Sequence, residues 1–152
     1  MIDAIVTSDL DRARATLLAD PAIGCVACGG GSGETQLLTG FGRGVKPLLQ
    51  WLAAGQNLHG YCAADRVVGK GAALLYARLG VTAVYAETMS EAGLSALRAH
   101  GIEASYGTLV PVILNRMHTG MCPIEQSVAA IDDPVAAETA IRAAVARLMR
   151  RS

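Results

Sequence analysis

Apolar residues recur along this chain with two alternating periods, one of about three and a half and one of two, and the switches between them mark the elements. Ser8, Asp9, Leu10 and Asp11, followed by Ala13, Leu17 and Leu18, predict a capped N-terminal helix that ends before Pro21 and covers an edge of the fold. IGCVAC (23–28) and TQLLT (35–39) read as short strands joined through the glycine-rich GGGSGE, a hairpin with a flexible tip. Val45, Leu48, Leu49 and Leu52 return to helical spacing, and Gly55 ends that helix. LHGYCAA (58–64), GAALLYARLG (71–80) and VTAVYAE (81–87) form a βαβ unit, the last strand being rich in β-branched residues. Ser90 caps the next helix, with Leu94 and Leu97 inward and His100 and Gly101 at its end; IEASY (102–106) is the following strand.

The last third of the chain is less regular. LVPVILN (109–115) is apolar but contains Pro111, which favours a short helix or loop cover over a central strand. Pro123 opens a short helix through Ile131. Asp133 and Pro134 open a last one, striped with Ala137, Ile141, Ala144, Val145 and Leu148 and ending in Arg147, Arg150 and Arg151. These elements specify an α/β fold: a three-layer α/β/α sandwich on a mixed sheet, with an initial hairpin followed by right-handed crossovers. The 152 residues suit one domain, with 1–20 as an N-terminal extension helix and 133–152 as a C-terminal helix.

Two segments break local rules. In DRVVGKGAA, Gly69 and Gly71 flank a helix start at a cost of about 1 kcal/mol each, and Lys70 puts a cation at the positive end of the helix dipole. An anion site explains both: free N–H groups, close approach at the glycines, and an ammonium for phosphate or carboxylate. Asp65, read as the end of the preceding strand, would accept from ribose hydroxyls. A Walker loop is excluded, because Ala64 stands where glycine is needed and Gly71 where Ser or Thr is needed. The second segment, NRMHTGMCPIE (115–125), is dense in polar and reactive types. Cys122 precedes a helix-opening proline, a position that activates thiols, and Glu125 follows three residues later, either as a partner or as a helix-capping carboxylate. Glu87 closes a strand where open α/β sheets place ligands.

The remaining chemistry narrows the classes. Cys25 and Cys28 form a CxxC, but on a strand these positions point to opposite faces and no second pair completes a metal site. Thirteen Lys and Arg balance thirteen Asp and Glu, which disfavours nucleic acid or anionic lipid as partner. No apolar run reaches membrane-span length and no signal-peptide pattern opens the chain, so a cytoplasmic protein without membrane contact is expected. The charged fraction of 17% is compatible with a homo-oligomer.

DRVVGKGAALLYARLGVTAVYAETMSEAGLSALRAHGIEASYGTLVPVILNR and the later GMCPIE resemble the DUF1893 family, whose function is unknown and whose fold is similar to that of cytidine deaminases. The resemblance runs from about Val45 to Val128, and its combination of VVGK-x-AA with N-R-x-x-x-G-M-C-P-x-E is specific. It implies a deaminase-like scaffold with a ligand crevice that gathers Asp65, Lys70, Glu87, Asn115, Arg116, Cys122 and Glu125. Zinc deaminases carry a His/Cys-x-Glu at one helix start and Pro-Cys-x-x-Cys at the next. Here the first start holds Gly69, Lys70 and Gly71 and the second Met89, Ser90 and Gly93, so zinc is not expected as a cofactor.

The expected function is binding of a nucleotide or ribose-phosphate ligand, with or without metal-free catalysis. Gly69, Lys70 and Gly71 take the phosphate, Asp65 serves the ribose or acts as a carboxylate nucleophile, and Arg116 meets a second anionic group, with Glu87 and Asn115 alongside. The alternative is a thiol enzyme or redox sensor using Cys122 with Glu125 or His118.

Overall fold

The computed structural model describes residues 8–30, 35–42 and 44–150. Its elements are helix α1 (Asp9–Ala19), strands β1 (Ile23–Gly29) and β2 (Gln36–Phe41), helix α2 (Lys46–Ala53), strand β3 (Cys62–Val68), helix α3 (Lys70–Leu79), strand β4 (Ala83–Ser90), helix α4 (Glu91–Ala99), strand β5 (Glu103–Val110) and helices α5 (Pro123–Val128) and α6 (Pro134–Arg150). Strand order across the sheet is β2-β1-β3-β4-β5. The β1–β2 hairpin and the β1–β3 pair are antiparallel, and β3, β4 and β5 run parallel, which gives the mixed sheet the residue pattern predicts. The tip of the hairpin, residues 31–34, lies outside the described residues.

The two sheet faces are covered unequally. On one, α1 is the covering helix among the described residues, with Ala13 and Leu17 packed on Val26, Cys28, Ala64 and Tyr85. It therefore covers a face and not an edge, and Leu18 points to solvent. On the other, α3 packs on the sheet with α2 and α4 beside it, touches α5 and α6 as well, and buries Leu74, Leu75 and Tyr76. Each aliphatic side chain so buried contributes about 1.5–3 kcal/mol. The period-2 rule divides the CxxC as expected: Cys25 joins the helix-rich core and Cys28 the α1 side.

Caps close the helices where polar residues announce them. Ser8 Oγ accepts from Asp11 N at 3.0 Å, Ser90 Oγ from Gly93 N at 2.9 Å and Asp133 Oδ2 from Ala136 N at 2.8 Å. Gly80 ends α3 in the left-handed region, φ 93°. Several boundaries differ from expectation. β4 starts at Ala83 and runs three residues past Glu87 to Ser90, so Glu87 does not close its strand, and α5 ends at Val128 rather than Ile131. β3 begins at Cys62 rather than Leu58 and runs three residues beyond Asp65. β5 continues through Gly107 to Val110 and stops where Pro111 has no N–H to give. Residues 111–122 then form neither helix nor strand but a loop pinched by one bridge, Leu114 to Met121. Among the described residues no helix is long and apolar enough to cross a membrane.

Candidate functional site

The strand-to-helix turn from β3 to α3 presents the first backbone N–H groups of α3 toward α5, and α5 returns a carboxylate to them. Glu125 Oε1 accepts from Lys70 N at 2.7 Å and Oε2 accepts from Gly71 N at 2.8 Å. One carboxylate thus satisfies two donors that the helix itself leaves without partners. The glycines have a steric reason. A Cβ on Gly69 would stand 2.3–2.7 Å from the Glu125 carboxylate, and one on Gly71 would stand 3.0 Å from Ile124 Cγ2 and 3.2 Å from Glu125 Oε2. The anion that the glycine-lysine-glycine turn calls for is the protein's own Glu125, 8% exposed.

Lys70 continues the clasp. Its Nζ donates to the Ala129 carbonyl at 3.1 Å and pairs with Asp132 at 3.0 Å. Beside these groups opens a cavity of about 520 Å³. It is lined by Lys70, Glu125, Ala129 and Asp132, by Ser90 at the end of β4 with Ala92, Ser95, Ala96 and Ala99 of α4, and by Pro111, Val112 and Met121. The cavity sits past the carboxyl ends of β3, β4 and β5, where open parallel sheets bind ligands. It combines an apolar wall with one ammonium and two carboxylates.

The other residues singled out from the sequence separate. Asp65 is 5% exposed inside the core, where Oδ2 accepts from Tyr76 Oη at 2.6 Å and Oδ1 from Val67 N at 3.4 Å. Burial pushes its carboxyl up to about 7, against the opposing pull of the Tyr76 hydroxyl, neighbouring N–H groups and Arg66. It does not line the cavity. Glu87 pairs with Arg66 on the α1 side of the sheet. There Arg66 also donates to the carbonyls of Ile23, Leu17 and Asp20, fastening the end of α1. Asn115 shapes the loop: Oδ1 accepts from Thr119 N at 3.0 Å and Nδ2 donates to Thr119 Oγ1 at 3.1 Å. His118 occupies the same turn at φ 57°. Arg116 is exposed on it, outside the cavity lining. Cys122 caps α5 through its backbone, and the carboxylate offered as its partner, Glu125, faces α3 instead.

Tyr76, Met121 and Asp132 take places that the sequence did not assign, and Ser90 lines the cavity besides capping its helix. Tyr76 carried a readable signal, since a buried tyrosine hydroxyl in an apolar helix needs a partner. The two helix starts do not fit a zinc ion. An ammonium and two glycines occupy one, a serine capping its own helix occupies the other, and the acid between them is engaged with backbone donors. Among the described residues no three His, Cys, Asp or Glu side chains gather as a ligand set.

A family model described as a domain of unknown function, DUF1893, matches residues 14–145. The chain belongs to the DUF1893 family. A DUF1893 family protein from Thermotoga maritima, solved by crystallography, superimposes with a TM-score of 0.73 at 25% identity, over 97% of this chain and 95% of that one. The match to residues 14–145 starts within α1 and ends within α6. Two deaminases match more distantly. One is a diaminohydroxyphosphoribosylaminopyrimidine deaminase/5-amino-6-(5-phosphoribosylamino)uracil reductase from Thermotoga maritima, with TM-score 0.41, 19% identity, 56% of this chain and 29% of that one. The other is a dCMP deaminase from the cyanophage S-TIM5, with TM-score 0.42, 15% identity, 70% of this chain and 99% of that one. No curated protein matches the sequence.

Proposed function

We propose that this DUF1893 protein binds a nucleotide or ribose-phosphate ligand in the cavity beside α3, with Lys70 as its anion contact. The carrying observation is the state of the Lys70 ammonium. It lines the cavity, its side chain is only 15% exposed, and its acidic partner Asp132 is 91% exposed. An incoming phosphate can replace Asp132 at Lys70 while Asp132 regains full hydration, so the exchange costs little. The alanine wall of α4, with Pro111 and Met121 opposite, takes the flat apolar part of the ligand. The backbone N–H groups of Lys70 and Gly71 are held by Glu125, so the anion is recognised by the side chain of Lys70 and not by the helix start itself.

In this reading Asp65, Glu87, Asn115 and Arg116 support the scaffold and the loop, and Glu125 is a positioning residue. Zinc chemistry is not proposed, because the donor set does not suit the ion. Nor does a particular observation favour the thiol reading at Cys122. The test is a thermal-shift and calorimetric panel of nucleoside mono- and diphosphates and ribose 5-phosphate. At least one compound is expected to raise the melting temperature, and Lys70→Ala is expected to weaken it tenfold or more. Full affinity in Lys70→Ala, or no response to any compound, overturns the proposal.

A further inference from the structure

Cys28 and Cys62 are direct partners across the antiparallel β1–β3 pair. Direct cross-strand partners have Cα atoms roughly 4.5–5.5 Å apart, inside the ~4.4–6.8 Å that a disulfide spans. Strand alternation puts both side chains on the α1 face. Cys28 lies in the cluster under α1 with Sγ 3.8 Å from Asp9 Oδ1, and Cys62 is two residues before Ala64 of the same cluster. Both thiols are pushed up, first by burial, and both feel the Asp9 carboxylate. The other two cysteines do not compete for this partnership: Cys25 faces the opposite core and Cys122 stands at the start of α5.

We propose that Cys28 and Cys62 form a reversible disulfide that staples β1 to β3, made by exchange with a low-molecular-weight disulfide such as oxidised glutathione. Cys62 is the half-exposed member, with Sγ 3.8 Å from Thr82 Oγ1, and it reacts first. Its thiolate attacks one glutathione sulfur, forming a mixed disulfide and releasing one glutathione thiol. Cys28 then attacks the Cys62 sulfur of that mixed disulfide and expels the second glutathione. The two protein thiols are oxidised by two electrons, one glutathione disulfide is reduced to two thiols, and the two thiol protons pass to them. The bond removes the thiol proton that Cys28 presents to Asp9 Oδ1 at the start of α1. Desolvated thiols exchange slowly at neutral pH and faster as pH rises.

The experiment treats the folded full-length protein with oxidised glutathione at mildly alkaline pH and digests it without reduction for mass spectrometry. The expected product is one crosslinked peptide joining Cys28 to Cys62, lighter by two hydrogens and reversed by dithiothreitol. Cys62→Ser is expected to abolish it, and Cys28→Ser to trap glutathione on Cys62. A folded chain that keeps both thiols free while the guanidine-unfolded chain is oxidised overturns the proposal, as does a bond joining any other pair. The wild-type digest decides the matter even if a variant folds poorly.

Discussion

Among the described residues two carboxylates are buried, Asp65 at 5% and Glu125 at 8% exposure, and the donors they meet differ. Glu125 receives two short backbone donors from the positive end of a ten-residue helix. Asp65 receives a phenol at 2.6 Å and one long backbone contact, with Arg66 on the far side of the sheet, and burial wins: its carboxyl is pushed up to about 7. Burial of a carboxylate is therefore neither costly nor cheap in itself. The outcome depends on whether donors with fixed dipoles come with it, as they do at the start of α3 and do not beneath it.

The largest effect tests the Glu125 side. Glu125→Ala leaves two buried N–H donors unpaired and should cost about 3 kcal/mol in urea unfolding. Gly69→Ala should cost nearly as much, since its Cβ falls on the carboxylate and expels it. The double variant should be scarcely worse than either single one, because both remove the same contact; additive losses would separate Gly69 from Glu125.

Asp65 comes next. Its unfolded carboxyl titrates near the ordinary 3.8 and its folded one near 7. Between these values the folded protein holds a proton that the unfolded chain has lost. The stability contributed by the neutral carboxyl is therefore complete below about pH 4 and fades as pH rises through about 7, by at most about 1.4 kcal/mol per pH unit. Asp65→Asn should flatten that slope in denaturation curves between pH 4 and 8; an unchanged slope assigns the titration to another group. Arg66→Met should follow, at about 1–2 kcal/mol, because the Leu17 and Asp20 carbonyls lose their donor, and it should move the Asp65 midpoint upward. The smallest change is Asp132→Ala, whose ion pair is so exposed that stability should shift by less than about 1 kcal/mol. With its competitor removed from Lys70, a phosphate ligand should bind a few-fold tighter, and weaker binding would contradict the exchange proposed at that ammonium.

Local chemistry made much of this fold legible. Ser8, Ser90 and Asp133 cap their helices as their type and position indicate, and the hairpin, the βαβ unit and the Ala137, Ile141 and Ala144 part of the α6 stripe follow from spacing, whereas Leu148 at the end of that stripe is 39% exposed. Local spacing does not show a partner that is distant in sequence. Asp65 reads as the polar end of a strand, yet Tyr76 holds it inside the core while Arg66 reaches the carbonyls of α1, and β3 runs on to Val68. Leu109 and Val110 read as loop cover because Pro111 follows, although proline ends a strand without forbidding one before it. The glycine-lysine-glycine turn announced an anion site but could not say that its anion lies 54 or 55 residues further along the same chain. Nor could spacing show Cys28 opposite Cys62, since sheet register is set by tertiary packing.

The most direct measurement is an amide chemical-shift titration of the isotopically labelled protein with nucleoside phosphates and ribose 5-phosphate. Saturable shifts are expected around the cavity, at Lys70, Ser90, Ala96, Val112 and Met121, with their loss in Lys70→Ala. Shifts confined to other surfaces, or none at saturating ligand, would contradict it.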